Sequence, residues 1–201
     1  MTKDTSSTKI KKTRPDNNQD EESNALAKFR VLIVDDYYFM AELIGTMLKE
    51  LGIGTVMTAE SGNRAIDILK FCNADPNSNR VIDIALIDWL MPDGNGVDLL
   101  KWIRNHKSDK IRFLPTILIS AYASEEVIKT ARDNGASEAL VKPVSSSVLA
   151  NRILYVINNP RPFIKAPDFF GPDRRRKEKK INFEDRRKTD DQNIEVHDEQ
   201  L

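Results

Sequence analysis

Residues 29–36 read FRVLIVDD, an apolar, β-branched run from Phe29 to Val34 that ends abruptly in Asp35 and Asp36. A run of that length without polar alternation is the pattern of a strand buried on both faces, and the paired carboxylates mark where it opens into a polar site. Immediately after it, Phe39, Met40, Leu43, Ile44, Met47, Leu48 and Leu51 recur at helical spacing, and Gly52 stands where a helix would stop. The same alternation continues along the chain. Strands are expected at Thr55–Ala59, Val81–Ile87, Thr116–Ile119 and Glu138–Val141, and helices at Asn63–Cys72, Gly96–His106, Ser124–Asn134 and Ser145–Ile157. Each crossover helix must bury its apolar stripe against the sheet, so the class is α/β: a doubly wound, five-stranded parallel sheet, (βα)5. The polar stretch Asn73–Arg80, reading NADPNSNR, is expected to be a surface loop.

The rest of the chain bounds the reading. At 201 residues there is room for one domain of ordinary size and some additional material. The division is an N-terminal extension (1–27), a central domain (28–158) and a C-terminal arm and tail (159–201). The formal net charge of +0 predicts neither a nucleic-acid nor a membrane partner. That zero hides an uneven spread, because basic residues crowd late in the chain while the last dozen residues are acidic. Cys72 is the only cysteine, which excludes an intrachain disulfide, and its place on an apolar helix face suits a small buried hydrophobe. Met1–Asn24 has no apolar core segment, so neither a signal peptide nor a membrane segment is expected, and a cytoplasmic location follows.

The chemistry gathers at the strand ends. In open parallel sheets, ligands bind outside the carboxyl ends of the strands. Asp35 and Asp36, then Asp88, then Ser120, then Lys142 before Pro143 all fall at such ends. Three carboxylates in one crevice repel one another unless a proton or a cation intervenes, and a hard divalent ion with oxygen ligands is the natural answer. Mg²⁺ suits the site because it prefers one or two carboxylates together with water and phosphate oxygens to a complete protein cage. A carboxylate can attack phosphorus to give an acyl phosphate, with Mg²⁺, Lys142 and the Ser120 hydroxyl stabilising the equatorial oxygens.

VLIVDD (31–36), IALIDWLMPDGNG (84–96), ILISA (117–121) and LVKP (140–143) together resemble the successive signatures of bacterial response-regulator receiver domains, such as the chemotaxis regulator, over residues 29–157. The resemblance implies a flavodoxin-like fold, with Asp88 as phosphoacceptor and Asp36 as a direct metal ligand. Asp35 would act mainly through metal-bound water, and the backbone carbonyl of Leu90 would be a further ligand. Lys142 would pair with the phosphoryl group, Ser120 would be the switch hydroxyl, and the small Ala121 would leave room for phosphate. The implied partners are a histidine kinase or histidine phosphotransfer protein as donor and a downstream target protein, docking near the helices at 124–134 and 145–157. Such a protein is consumed as acceptor and is not expected to be an enzyme. A phosphatase using Asp88 as nucleophile would need a second Asp two residues on, and that position holds Leu90.

Two departures from the family pattern stand out. Ala139 occupies the position, three before Lys142, where the family usually carries an aromatic switch residue, which leaves Tyr122 as an alternative coupling element. Leu90 is apolar where a polar side chain could orient attacking water, which predicts slow loss of the phosphoryl group.

After Asn158, Pro160, Pro162 and Pro167 forbid a long helix, while Phe163, Ile164, Phe169 and Phe170 could pack back as an ordered arm. The segment holds too few apolar residues for a separate DNA-binding domain. Its near-repeat, Asp173-Arg174-Arg175-Arg176 answered by Asp185-Arg186-Arg187-Lys188, supplies guanidinium forks suited to phosphates and flat rings. These clusters are similar to the arginine-rich tails of some chemotaxis-regulator-like proteins that bind cyclic di-GMP. The alternative function is therefore an effector whose tail (Arg174, Arg175, Arg176, Arg186, Arg187) takes a cyclic dinucleotide or an acidic partner.

Overall fold

The computed structural model describes residues 26–73, 80–92 and 94–174, and the backbone of 195–197. The N-terminal residues 1–25 and the middle of the polar loop, 74–79, lie outside the described residues.

The run at 29–36 forms β1 (Arg30–Val34), followed by α1 (Tyr38–Glu50), β2 (Thr55–Ala59), α2 (Gly62–Cys72) and β3 (Ile84–Asp88). Two residue pairs, β4 (Leu90–Met91) and β5 (Gly94–Asn95), then make a small antiparallel ladder. They lead into α3 (Gly96–Arg104), the single turn α4 (Asp109–Arg112), β6 (Thr116–Ser120), α5 (Glu125–Asp133), β7 (Glu138–Val141) and α6 (Ser146–Asn158). The five long strands lie in the order β2-β1-β3-β6-β7, all parallel. That is the flavodoxin-like doubly wound arrangement.

Alternation along the central strands separates two apolar layers. Leu32 and Val34 point into one, shared with Ala65, Leu69 and Cys72 of α2 and Leu100 and Ile103 of α3. Val31 and Ile33 point into the other, against Ile44 and Leu48 of α1 and Leu149 and Ile153 of α6. Each fully buried Leu or Ile contributes about 1.5–3 kcal/mol relative to exposure. Helix starts are fixed by side chains: the Ser61, Ser124 and Ser145 hydroxyls accept the N–H of Arg64, Val127 and Val148. Asn95 and Asp98 form a reciprocal capping box on α3. Gly52 ends α1 in the left-handed region, with φ of 89°.

Beyond α6, β8 (Phe163–Ala166) and β9 (Phe169–Pro172) pair as an antiparallel hairpin, and β10 (Glu195–His197) adds along the other edge of β8. This arm sits at the amino ends of β6 and β7. Phe163 and Phe170 meet Phe113 edge-on, with ring centroids 4.9 and 5.2 Å away. Arg104, buried on α3, stacks on Phe163 and donates to the carbonyls of Gly135, Arg112 and Leu114 and to Thr116 Oγ1. Burial pushes its guanidinium down to about 9, so it remains charged at neutral pH. Arg161 of the arm lies 3.9 Å from the buried carboxylate of Glu138, which also accepts from Arg152 at 2.9 Å, and donates to the Ser137 carbonyl.

Candidate functional site

The carboxyl ends of β1, β3, β6 and β7 deliver the polar groups. Because β1 and β3 are hydrogen-bonded neighbours, the carboxylates at their ends converge: one oxygen from each of Asp35, Asp36 and Asp88 lies within 4.8 Å of the others. Asp35 and Asp88 are buried and Asp36 is exposed, so the cluster opens on one side. The backbone N–H of Tyr37 holds Asp35 Oδ1 at 2.9 Å, and that of Leu90 holds Asp88 Oδ2 at 3.3 Å.

Lys142 reaches in from the end of β7. Its Nζ lies 2.6 Å from Asp88 Oδ1 and 3.0 Å from Asp35 Oδ2, so one ammonium bridges both buried carboxylates. Burial is the largest influence on Asp88 and raises its pKa above the ordinary carboxylate value; the hydrogen bond and charge of Lys142 pull against it. Burial also works against the ammonium, but the bonds to Asp88 and Asp35 outweigh it and hold Lys142 above the ordinary lysine value. The backbone N–H of Lys142 donates to the Ser120 carbonyl at 2.7 Å, which ties β7 to β6 at the site. The Ser120 hydroxyl is buried and accepts the Tyr122 N–H at 3.0 Å. Ala121 is exposed beside it.

The loop after Asp88 is clamped as well as capped. Gly96 N–H donates to the Trp89 carbonyl at 2.9 Å. A Cβ on Gly96 would fall 2.1 Å from the Asp88 carbonyl oxygen, so only glycine lets α3 start this close to the acidic residue.

Asp35, Asp36, Asp88 and Lys142 thus meet in one cluster, Ser120 ends the neighbouring strand β6 with Ala121 directly after it, and the Leu90 side chain is exposed. What strand-end reasoning missed is that Lys142 serves Asp35 as well as Asp88; that depends on strand order, which no local pattern carries. Ala139 is partly buried on β7 and Tyr122 is exposed, on the loop after β6. Of the tail arginines, Arg174 is bonded to Asp133 at 3.0 Å and stacks on Phe169, while Arg175, Arg176, Arg186 and Arg187 lie outside the described residues. Among the described residues no helix is long and apolar enough to cross a membrane.

The sequence profile of the response regulator receiver domain matches residues 31–154. The chemotaxis protein CheY-3 of Vibrio cholerae is 32% identical over 124 residues, covering 62% of this chain and 88% of that protein. The chemotaxis protein CheY of Pseudomonas aeruginosa is 31% identical over the same length, covering 62% and 92%. A solved CheX–CheY–BeF3–Mg²⁺ complex from Borrelia burgdorferi superposes with a TM-score of 0.54 at 30% identity, covering 64% of this chain and 88% of that one. With its sheet order and its acidic strand ends in place, this chain belongs to the response-regulator receiver domain family, and its relatives are of the chemotaxis-regulator type.

Proposed function

We propose that the protein is a two-component switch in which Asp88 accepts a phosphoryl group from a histidine kinase or a histidine phosphotransfer protein. The observation that carries this reading is the Lys142 ammonium bridging Asp88 and Asp35 within a cluster of three carboxylates. The donor set is all hard oxygen, which fits Mg²⁺; Asp35, Asp36, Asp88 and the Leu90 carbonyl would hold it. When bound, the ion would neutralise charge on the phosphoryl oxygens and on the acidic cluster. A neighbour of 30% identity carrying BeF3 and Mg²⁺ supports the same assignment.

The rest of the work falls to this chain. A carboxylate oxygen of Asp88 attacks phosphorus while the bond from phosphorus to the donor's nitrogen breaks, and the electron pair stays on the departing imidazole. The anion needed for attack is disfavoured by burial and favoured by Lys142, which offsets part of that cost. As the acyl phosphate forms, Lys142 transfers its ammonium contact from the carboxylate to the new phosphoryl oxygens. Ser120 then has an acceptor for its hydroxyl proton, and the shift of β6 against its following loop alters the neighbouring surface. Exposed Ile128 on α5 and Val148 and Tyr155 on α6 offer that surface apolar contacts for a target. The protein ends as the phosphorylated product, so no substrate is turned over.

Intact-protein mass after incubation with acetyl phosphate tests the reading. One added phosphoryl group is expected with Mg²⁺ present, none after chelation and none in Asp88→Asn. Equal labelling of Asp88→Asn, or no labelling of the wild type, would sink it.

A further inference from the structure

Ser120 is the last residue of β6, and two hydrogen bonds fix it. Its carbonyl accepts the Lys142 N–H at 2.7 Å, and its buried Oγ accepts the Tyr122 N–H at 3.0 Å. The second bond closes a local turn, in which a side-chain oxygen takes a backbone donor two residues further on. Asp88 takes no part in it: its Oδ1 meets Lys142 Nζ, and its Oδ2 accepts the Leu90 N–H. Ile119 pairs with Asp88 in the β3–β6 register, so Ser120 stands one residue past the acidic strand end.

The segment that this bond retains has little core contact of its own. Ala121, Tyr122, Ala123 and Ser124 are all exposed. Ser124 caps α5 by accepting the Val127 N–H, and along α5 only Ala131 is fully buried. A loop and helix start without core contacts rearrange at small cost once a retaining bond is lost. The side chain on β7 offers no second route. Ala139 pairs with Leu118 rather than with Ser120, and its methyl group packs against the core layer that holds Leu32 and Val34. It has no ring that could turn inward or outward.

From this geometry we infer that the Tyr122 backbone N–H, held by the Ser120 hydroxyl, is the element that couples Asp88 to the protein surface. The inference rests on the reading of Asp88 as phosphoacceptor and extends it to the regulation of that site. At rest, the N–H keeps the Ser120 oxygen in the rotamer that faces the loop. A phosphoryl group on Asp88 gives the hydroxyl proton an anionic acceptor, and charge-assisted hydrogen bonds are about twice as strong as neutral ones. One Oγ occupies one staggered well at a time, so turning toward the neighbouring strand gives up the loop. The released N–H lies in an exposed segment, where water replaces the lost partner. Residues 121–124 and the start of α5 then rearrange. The Tyr122 ring, 58% exposed, is carried by this movement and does not cause it.

Amide hydrogen exchange of the full chain, resolved by NMR, is the test, with beryllofluoride and Mg²⁺ as the acyl-phosphate mimic. Without the mimic, the Tyr122 amide should exchange about fivefold more slowly than in Ser120→Ala, as one ordinary hydrogen bond implies. Saturation with the mimic should remove that protection. Tyr122→Pro, which lacks the N–H, should bind the mimic about fivefold more tightly than Tyr122→Ala, which keeps the N–H and loses the same ring. A purely structural defect would weaken binding instead, and thermal melting shows whether the proline variant is folded; the exchange measurement stands without it. Protection equal in Ser120→Ala, or surviving saturation with the mimic, would overturn the coupling while leaving Asp88 as the acceptor. A folded Tyr122→Pro that binds no tighter than Tyr122→Ala would overturn it too. If the mimic moves no signal of Asp88 or Lys142, the phosphoacceptor reading fails, and the coupling fails with it.

Discussion

Asp88 sits in a conflict between burial and charge. The carboxylate proposed to attack phosphorus is placed where an anion is costly, and one ammonium, already shared with Asp35, offsets part of that cost. Because the folded-state pKa lies above the ordinary value of 3.8, the folded protein holds this proton more tightly than the unfolded chain. The stability linked to that proton is fully present below about 3.8 and is lost as pH rises through the folded-state value. Asp88→Asn, which cannot ionise, escapes this loss. In chelator, the variant should melt at a higher temperature than the wild type at neutral pH, and its advantage should shrink as the solution is acidified. Thermal melts from acid to neutral pH measure it. A variant less stable than the wild type at neutral pH would mean that Lys142 gains more from Asp88 than burial costs.

At the level of elements, the β3–α3 connection joins chemistry to packing. Asn95 caps α3, and Gly96 lets the helix start against the Asp88 carbonyl; Ile87 Cγ2 would lie 3.0 Å from an added Cβ. Backbone cannot yield as a flexible side chain can, so Gly96→Ala should cost about 1–3 kcal/mol, the range for overpacking. It should also slow labelling by acetyl phosphate, because the strain falls on the proposed phosphoacceptor itself; urea melts and a labelling time course would show both. The acidic strand ends were legible in the sequence because burial on both faces leaves an uninterrupted apolar run, and its sudden end in Asp or Lys is a local signal. All ten expected strands and helices have counterparts within about three residues of the expected ends, the margin typical of pattern reading. The β8–β9 hairpin was not legible as strands. Its prolines and consecutive phenylalanines give no alternation, and its fit depends on Gly171 lying against Gly135, where an added Cβ would come within 2.6 Å of the Gly135 Cα. Arg104 was read only as part of a helix, since nothing in its neighbours announces four buried acceptors.

Across the whole molecule, β6 and β7 connect two poles: Ser120 and Lys142 end at the acidic crevice, while Thr116 and Glu138 begin beneath the arm. Four steps of about 3.3 Å separate the ends of β6, roughly 13 Å of rigid strand. Phe163 is the arm's anchor. It is nearly buried, meets Phe113 and Phe170, and lies under the buried Arg104. Phe163→Ala removes a ring from this cluster and a face from that cation, so a loss of about 3–5 kcal/mol is expected. A central sheet packed on both faces does not need the arm to hold its strand ends in register. Below its melting temperature the variant should therefore take a phosphoryl group on Asp88 at the wild-type rate, read by intact mass, while its urea midpoint falls. Slower labelling at a temperature where the variant is still folded would instead mean that displacement of the arm is transmitted along β6 and β7, making the hairpin a regulator of the acidic site rather than a brace at its far end.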